Sequence, residues 1–545
     1  MTSTSGQPPG PDLSACDREP IHIPGAIQPH GVLLALDQDL RVCRAGGDVQ
    51  GLLGQEKDPL GLRLSDLIPA LGVDLPDSED QFCFVATVNM PAGELDLYAH
   101  SCGGELILEL EPAPQERRSG AQVLGDLLPI VKQIGAAKDV TEAAAAAASG
   151  VRKITGYDRI MIYRFLEDQS GQVIAEARSP DVDSLLHHRY PASDIPQQAR
   201  ALYLRNAVRV IHDVDYSPAP IRGGRVPLDL TGALLRSVSP VHIQYLKNME
   251  VGASASFSLV QADSLWGLVA CHNRTARPIA HEEREMCRRV ALALDQAVAR
   301  LEEENSQREA LRLTRRREEL LPLLVAGESV SAALRVHLDE LRRLVAADGI
   351  ALLIDDDVVC GGVTPPEPAV RDLGRWLIDQ SRDVLATNSL GALYAPAQAW
   401  TATASGLLGA VVARNPLTAL LWFRAEEIET VKWAGNPHKP AEPGGSSAQL
   451  TPRRSFELWA ETVRGRSRPW RANEQETVRR LVSSVAEVGR QKALAELNRQ
   501  LTSEVAEKDL LMREMHHRVQ NSLQLVTSML QHHEGEGAEE QLAVA

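Results

Sequence analysis

The sequence predicts an α+β protein of three consecutive domains with antiparallel sheets, joined by long helices and ending in a helical segment. Three observations carry this expectation. The chain has 545 residues, more than one hydrophobic core holds, so it divides into several domains. Short apolar runs bounded by turn residues recur in three stretches, which is strand patterning. Between and after these stretches, apolar residues fall at three- and four-residue steps, which is a helical period.

Each element follows in order. Residues 1–20 read as a polar tail that carries Cys16. Residues 21–117 hold the runs HGVLLAL, FCFVATV and GELILEL, a small α+β domain closed by the linker PAPQERRSG at 112–120. The second domain spans 118–305. Its alanine run Ala143–Ala148 marks the middle of a helix, because alanine has the best intrinsic helix propensity. DRIMIYRF (158–165), SASFSLV (254–260) and WGLVACHN (266–273) read as strands. Residues 206–235 have several Pro and Gly and little period, and read as an irregular excursion that packs on another part of the chain.

From His281 the pattern turns helical and is expected to run on toward Leu324. Val290, Leu294, Ala297 and Leu301 make a heptad-like seam. Two readings stay open, a dimer seam or a solvated connector. The third α+β domain spans 306–500. Its insertion at about 420–465 is too weakly apolar for a core and reads as a functional arm. A last helix begins near Glu474, with Val485, Val488, Leu494, Leu497 and Leu501 on one face. A further segment, 501–533, carries a second seam of Val519, Leu523, Val526 and Leu530, and 534–545 reads as a disordered tail.

Composition excludes several classes. A net charge of −16 argues against a nucleic-acid surface. No apolar run approaches the roughly 20 residues that cross a bilayer. The opening MTSTSGQPPGPDLSACDREP lacks the basic and apolar regions of a signal peptide. The expectation is a cytoplasmic protein that binds neither membrane nor nucleic acid. Seven scattered cysteines, Cys16, Cys43, Cys83, Cys102, Cys271, Cys287 and Cys360, form no CxxC pair, so neither a disulfide framework nor a metal site is expected.

Four clusters carry chemistry. The first is Cys16 followed by IHIPGAIQPHG (21–31), where a thiol in a polar tail can reach a ligand held by a neighbouring domain; an inconsequential surface cysteine is the alternative. The second is RYPASDIPQQARALY (189–203). Pro191 and Pro196 bracket Asp194, which either caps the following helix or faces a cavity. The third is LLRSVSPVHIQYLKNMEVGASAS (234–256), with Arg236, His242, Tyr245, Ser254 and Ser256, to which Arg209 adds a second cation. Paired guanidinium groups suit a ligand with two carboxylates. A surface ion-pair set is the alternative. The fourth is Cys271-His272 at the end of an apolar strand.

Taken together, IPGAIQPHG, PASDIP, RSVSPVHIQYLKNM, WGLVACHN and PRRSF occur in an order that resembles the phytochrome family, specifically bacteriophytochromes. The resemblance covers about residues 10–500 and implies PAS (21–117), GAF (118–305) and PHY (306–500) domains. It implies a red/far-red photoreceptor that binds a linear tetrapyrrole. Val241 precedes His242 where plant-type members carry the attaching cysteine, and Cys16 is placed like the biliverdin-binding cysteine of bacterial members. The implied cofactor is therefore biliverdin on Cys16. Arg18 is a cationic neighbour that would assist thiolate formation.

The resemblance also implies roles. The Asp194 carbonyl and His242 hold the pyrrole nitrogens. Arg209 and Arg236 pair with propionates, aided by Ser254 and Ser256. His272 meets the D-ring carbonyl. Tyr163, Tyr190 and Tyr245 flank the D ring, and Tyr203 lies on the propionate side. The arm is the family's tongue, in which Arg453 pairs with Asp194 in one state and Ser455 replaces it in the other. Two positions depart from the pattern: WGG reads Trp433-Ala434-Gly435, and WFRPE reads WFRAE at 422–426.

Residues 510–531, LLMREMHHRVQNSLQLVTSMLQ, resemble the phosphoacceptor box of HWE/HisKA_2-type histidine kinases, with His517 as the phosphoacceptor. No Gly-rich ATP lid or Asn-rich nucleotide box accompanies it. The expectation is a chain that has no catalytic residues of its own, does not phosphorylate itself, and forms a parallel homodimer through its helical spine. A response regulator or a separate kinase is the implied partner. The alternative is the sensor part of a light-regulated histidine kinase. A PAS/GAF module for a cyclic nucleotide or haem is disfavoured by the five-motif set.

Overall fold

The computed structural model describes residues 19–69, 82–327, 329–380, 384–434 and 458–542. Cys16, Arg453 and Ser455 lie outside the described residues. The chain divides into two compact units, residues 1–305 with 429–463, and 306–428 with 464–545.

The first unit holds two sheets. β1 (Ala26–Ile27), β2 (Val32–Leu36), β3 (Val42–Gly47), β4 (Cys83–Met90), β5 (Gly93–Cys102) and β6 (Glu105–Pro112) belong to the first, with the short helices α1 (Val49–Leu53) and α2 (Leu64–Leu67) after β3. This sheet has seven strands in the order β1-β11-β3-β2-β6-β5-β4, where β11 is Ala219–Gly223. One face buries Val32, Leu34, Leu97 and Leu108 against α1 and α2. The other buries Leu33, Ala35 and Ile107 against Leu228, Leu230 and Leu235. The irregular stretch after residue 206 is thus ordered by the first sheet, which it covers. Gly31 is required where the two meet, because a Cβ there would sit 2.6 Å from the Leu110 carbonyl oxygen.

The second sheet follows α3 (Gly120–Gly135) and α4 (Val140–Thr155). Its strands are β7 (Arg159–Phe165), β8 (Gly171–Arg178), β9 (Arg189–Tyr190), β10 (Val208–Ile211), β12 (Ala253–Gln261) and β13 (Ser264–Asn273). Helices α5 (Gln197–Arg205) and α6 (Pro240–Asn248) lie between strands. The arm adds the hairpin β19 (Glu429–Ala434) and β20 (Leu458–Val463), giving the order β10-β12-β13-β7-β8-β9-β19-β20.

Helix α7 (His281–Ala326) begins in this unit and corrects one expectation. Val290, Leu294, Ala297 and Leu301 are buried in the unit's own core, with α4 and the second sheet. Their seam is satisfied within the chain, so it is not a dimer surface. A three-four period records only that a helix has one apolar face, and a sheet fills that face as well as a second helix does.

In the second unit, α8 (Val330–Val336), α9 (Leu338–Leu344), α10 (Glu367–Asp379), α11 (Leu390–Leu393) and α12 (Thr401–Ala404) surround a five-stranded sheet. Its strands are β14 (Gly349–Ile354), β15 (Asp357–Gly362), β16 (Val384–Thr387), β17 (Gly406–Arg414) and β18 (Leu417–Arg424), in the order β15-β14-β18-β17-β16. The last helix, α13, runs from Ala472 to Leu542. The tail from 534, expected to be disordered, is helical as far as Leu542.

Candidate functional site

The second sheet has two unlike faces. Paired residues on antiparallel strands share a face, and successive residues alternate. Ile160, Ala255, Phe257, Val269 and Cys271 turn toward the helices and are buried in the core. Arg209 pairs with Ser256, and Ser254 pairs with His272, on the opposite face. Cys271 and His272 therefore point in opposite directions. Burial pushes the Cys271 thiol well up, which makes it an inert packing group.

The polar face is overlaid by α5, which packs on β12 and β13, and His242 of α6 lies near His272 on that face. Ser239 caps α6 and Pro240 opens it, which orients His242 and Tyr245 on one turn. Their rings lie parallel, with centroids 6.0 Å apart and planes at 11°. Asp194 sits in a 3₁₀ turn, Ala192–Asp194, and the N-cap of α5 is Pro196, so neither Ser193 nor Asp194 caps that helix. Instead the Asp194 carboxylate accepts a hydrogen bond from the Tyr245 hydroxyl at 3.1 Å.

Tyr163, Tyr190 and Tyr203 meet in one apolar cluster with Met161, Leu268 and Ala434. Tyr163 and Tyr190 have ring centroids 5.8 Å apart. Gly171 on β8 makes room for the Tyr163 ring, which occupies the place a Cβ would take. Ala434 comes from the arm and is fully buried, while Trp433 pairs in parallel register with Arg189. The arm's strands thus complete the sheet beside the tyrosines.

The two arginines are held by backbone. Arg209 donates to the carbonyls of Leu234, at 3.2 Å, and Arg236. Arg236 donates to the Ile21 carbonyl at 2.8 Å. Neither guanidinium has a carboxylate partner among the described residues, and the Arg236 Nε atom is buried without a hydrogen bond. Burial first, and then Arg209, pushes the Arg236 guanidinium down to about 9. Burial likewise lowers Arg209.

His272 is likewise incomplete. His272 Nδ1 is buried and makes no hydrogen bond among the described residues. Burial, with Arg159 and His242 nearby, pushes its imidazole down to about 3. Burial, with Arg209, pushes His242 down to about 4. Both rings are neutral at physiological pH.

The sequence reading missed three participants. Glu19 accepts a hydrogen bond from the Ser239 hydroxyl at 2.8 Å, and Leu230 N–H donates to the His22 carbonyl at 2.8 Å. The segment that follows Cys16 is therefore tied to the start of α6. Tyr216 shares a hydrogen bond with Ser237 at 2.9 Å and accepts from Val238 N–H at 2.8 Å, which fixes the approach to Ser239. Their partners lie 21 to 220 residues away, so no local pattern announces them. His517 is exposed on α13, one residue before Arg518, which pairs with Glu514 at 2.6 Å.

Two buried cations without carboxylates, a neutral imidazole with an unmatched ring nitrogen and an aromatic cluster fit one kind of ligand. It has an extended apolar body, polar ring atoms and two carboxylates.

Comparison with known proteins identifies the family. Family models described as PAS fold, GAF domain, Phytochrome region and Histidine kinase match residues 16–113, 139–298, 313–493 and 514–545. Cyanobacterial phytochrome B of Nostoc sp. is 37% identical over 520 residues, covering 91% of this chain and 69% of the relative. A bacteriophytochrome of Xanthomonas campestris pv. campestris is 36% identical, covering 86% of this chain and 78% of the relative. The crystal structure of a bacteriophytochrome from the photosynthetic bacterium R. palustris superposes with a TM-score of 0.77 at 37% identity, covering 87% of this chain and 99% of that one. The photosensory core module of Stigmatella aurantiaca phytochrome gives 0.75 at 35% identity, covering 87% of this chain and 98% of that one.

Proposed function

The chain belongs to the phytochrome family of red/far-red photoreceptors, and from that premise we propose that its bilin is biliverdin, bonded to Cys16 and held on the polar face of the second sheet. The observation that carries the reading is the pair of buried guanidiniums without carboxylates. A buried cation without an anion is costly. The two propionates of a bilin are the missing partners, and each charge-assisted hydrogen bond contributes roughly 1.5–3 kcal/mol.

Two further observations support the attachment point. Val241 stands before His242, so no thiol is available there. Cys16 is three residues before Glu19, and three extended residues span at most about 11 Å. A thiol at that position has reach to a ligand beside Arg236 and α6.

When bound, biliverdin supplies visible absorption and reversible Z/E isomerisation of the methine bridge between its C and D rings. The chain supplies shape and polarity. Arg209 and Arg236, with Ser254 and Ser256, hold the propionates, and Tyr203 closes that side. The His242 imidazole and the Asp194 carbonyl take the pyrrole N–H groups. His272 offers its free ring nitrogen to the D-ring carbonyl, and Tyr163, Tyr190 and Tyr245 shape the space in which that ring turns. The hydrogen bond from Tyr245 to Asp194 would be exchanged as Asp194 pairs in turn with Arg453 and Ser455. The β19–β20 hairpin that carries these residues is the two-state element. The output is a parallel dimer along α13, with His517 offered to a response regulator or to a kinase acting in trans.

The test is to mix the purified chain with biliverdin and record red-minus-far-red difference spectra and the mass of the denatured product. We expect reversible photoconversion and one covalent bilin, with the bond abolished in Cys16→Ala. Absence of photoconversion overturns the biliverdin reading, and a surviving bond in Cys16→Ala overturns the attachment point. Arg453→Ala should alter the photocycle and the infrared signature of the arm; unchanged signatures would remove Arg453 from the switch.

The second reading, the sensor part of a light-regulated histidine kinase, is favoured by the match over 514–545 and the exposure of His517. It predicts that a kinase of this class transfers phosphate to the chain, and that His517→Gln abolishes the transfer.

A further inference from the structure

One cluster in the first unit has no part in holding the bilin. His30 lies in the turn before β2, Glu111 near the end of β6, and His212 directly after β10. Each offers one ligand atom, and the three atoms lie within 4.8 Å of one another. We propose that these residues form a site for a single divalent transition-metal ion of the zinc type, which clamps the first sheet to the strand that carries Arg209.

The donor set suits such an ion. Two imidazoles and a carboxylate, with one position left for water, is an established tetrahedral arrangement with bonds of about 2.0–2.2 Å. That geometry sets ligand atoms roughly 3.3 Å apart, so small side-chain shifts complete it. His30 Nε2 is already 3.1 Å from Glu111 Oε1. The two imidazole rings have centroids 4.0 Å apart with planes at 36°. Most directly, His212 Nε2 is buried and has no hydrogen-bond partner among the described residues. A buried ring nitrogen left unmatched beside a second imidazole and a carboxylate is what a metal ligand looks like without its metal.

The surroundings hold these groups in place. Arg284 pairs with Glu111 Oε2 at 2.6 Å, which orients the carboxylate and leaves Oε1 facing His30. The His212 carbonyl accepts a hydrogen bond from Arg277 N–H at 2.9 Å, which fixes the backbone at that ligand. Arg284 also opposes a cation, since it already balances Glu111. Borderline nitrogen and oxygen donors select zinc and its neighbours over magnesium or calcium.

Arg209 precedes His212 by three residues. An ion on His212 would therefore brace the strand that presents Arg209 to the ligand site.

The experiment uses the full chain without bilin, because tetrapyrroles chelate zinc themselves. The chain is stripped with a chelator and titrated calorimetrically with Zn²⁺, and the bound ion is examined by X-ray absorption. One equivalent should bind, in a shell of nitrogen and oxygen with two imidazoles and no sulfur. His30→Gln and His212→Ala should each weaken binding by more than about 100-fold, beyond the loss typical of an outer-shell change. His517→Ala, on the exposed face of α13, should leave it unchanged. Absence of binding, sulfur in the shell, or undiminished affinity in the His30 and His212 variants overturns the proposal. Should His212→Ala fail to fold, His30→Gln and the absorption spectrum of the unaltered chain still decide it.

Discussion

Arg236, on the polar face of the second sheet, and Arg424, at the root of the last helix, are both buried and both donate to backbone carbonyls. Arg424 also meets Glu474 at 2.6 Å, reaches the Val345 carbonyl at 2.9 Å and lies 3.7 Å over the Trp470 ring. Arg236 has no carboxylate partner among the described residues. The pair at Arg424 joins the end of β18 to the first turn of α13, and so fixes where the signalling helix starts. The unpaired cation at Arg236 instead leaves a favourable interaction for a ligand to complete. A buried guanidinium that has its carboxylate is a structural tie, and one that lacks it is open to an anionic ligand.

The comparison breaks most readily at its paired end. Arg424→Ala should cost about 3–5 kcal/mol, the usual price of stranding one member of a buried ion pair, read by denaturant unfolding of the second unit within the full chain. A loss below about 1 kcal/mol would mean that the pair is not structural.

Arg236→Met should act in the opposite sense on the bilin-free chain. Removing an unpaired buried charge leaves stability unchanged or raises it by about 1 kcal/mol, while biliverdin affinity falls at least roughly tenfold. Destabilisation of the bilin-free chain, with affinity intact, would make Arg236 a structural group instead.

Acid sharpens the same contrast. His242 and His272 are pushed down to about 4 and about 3 by burial, whereas an unfolded histidine titrates near 6.5. Between these values the unfolded chain binds more protons than the folded one. Stability of the bilin-free chain is therefore full above about pH 6.5 and falls as pH drops below it, by at most about 1.4 kcal/mol per pH unit for each ring. His272→Gln should reduce that slope in pH-resolved melting; an unchanged slope would place the titration elsewhere.

The smallest effect on the monomer belongs to α13. Leu494, Leu497, Leu501, Leu523 and Leu530 are each at least half exposed along this helix. Leu497→Glu should change unfolding free energy by less than about 0.5 kcal/mol, while shifting sedimentation toward monomer. An unaltered dimer would move the interface off this stripe.

Much of the fold was legible. The strands at β7, β12 and β13 and the helices at α4, α7 and α13 follow from period and propensity, because those signals are local. Four residues that the motif set singled out, Asp194, Tyr245, His242 and His272, lie together in the structure. The covering of the first sheet by residues 219–235 was not legible, since its partners are about 100 to 200 positions away. Nor was the fate of the seam at Val290–Leu301, because an apolar stripe does not state what will cover it.

The sequence by itself determined which side chains exist and which face of each element they occupy: Cys271 and His272 must oppose one another on any strand, and Val290 and Leu294 must share a side of any helix. Only the tertiary structure decided which faces found partners. It closed the seam on α7 with the chain's own sheet, and left Arg236, His272 and His212 with unfilled hydrogen-bonding capacity. The reason is range. Alternation and period are set by backbone geometry within a few residues, whereas burial and pairing depend on chain segments brought together across hundreds of positions.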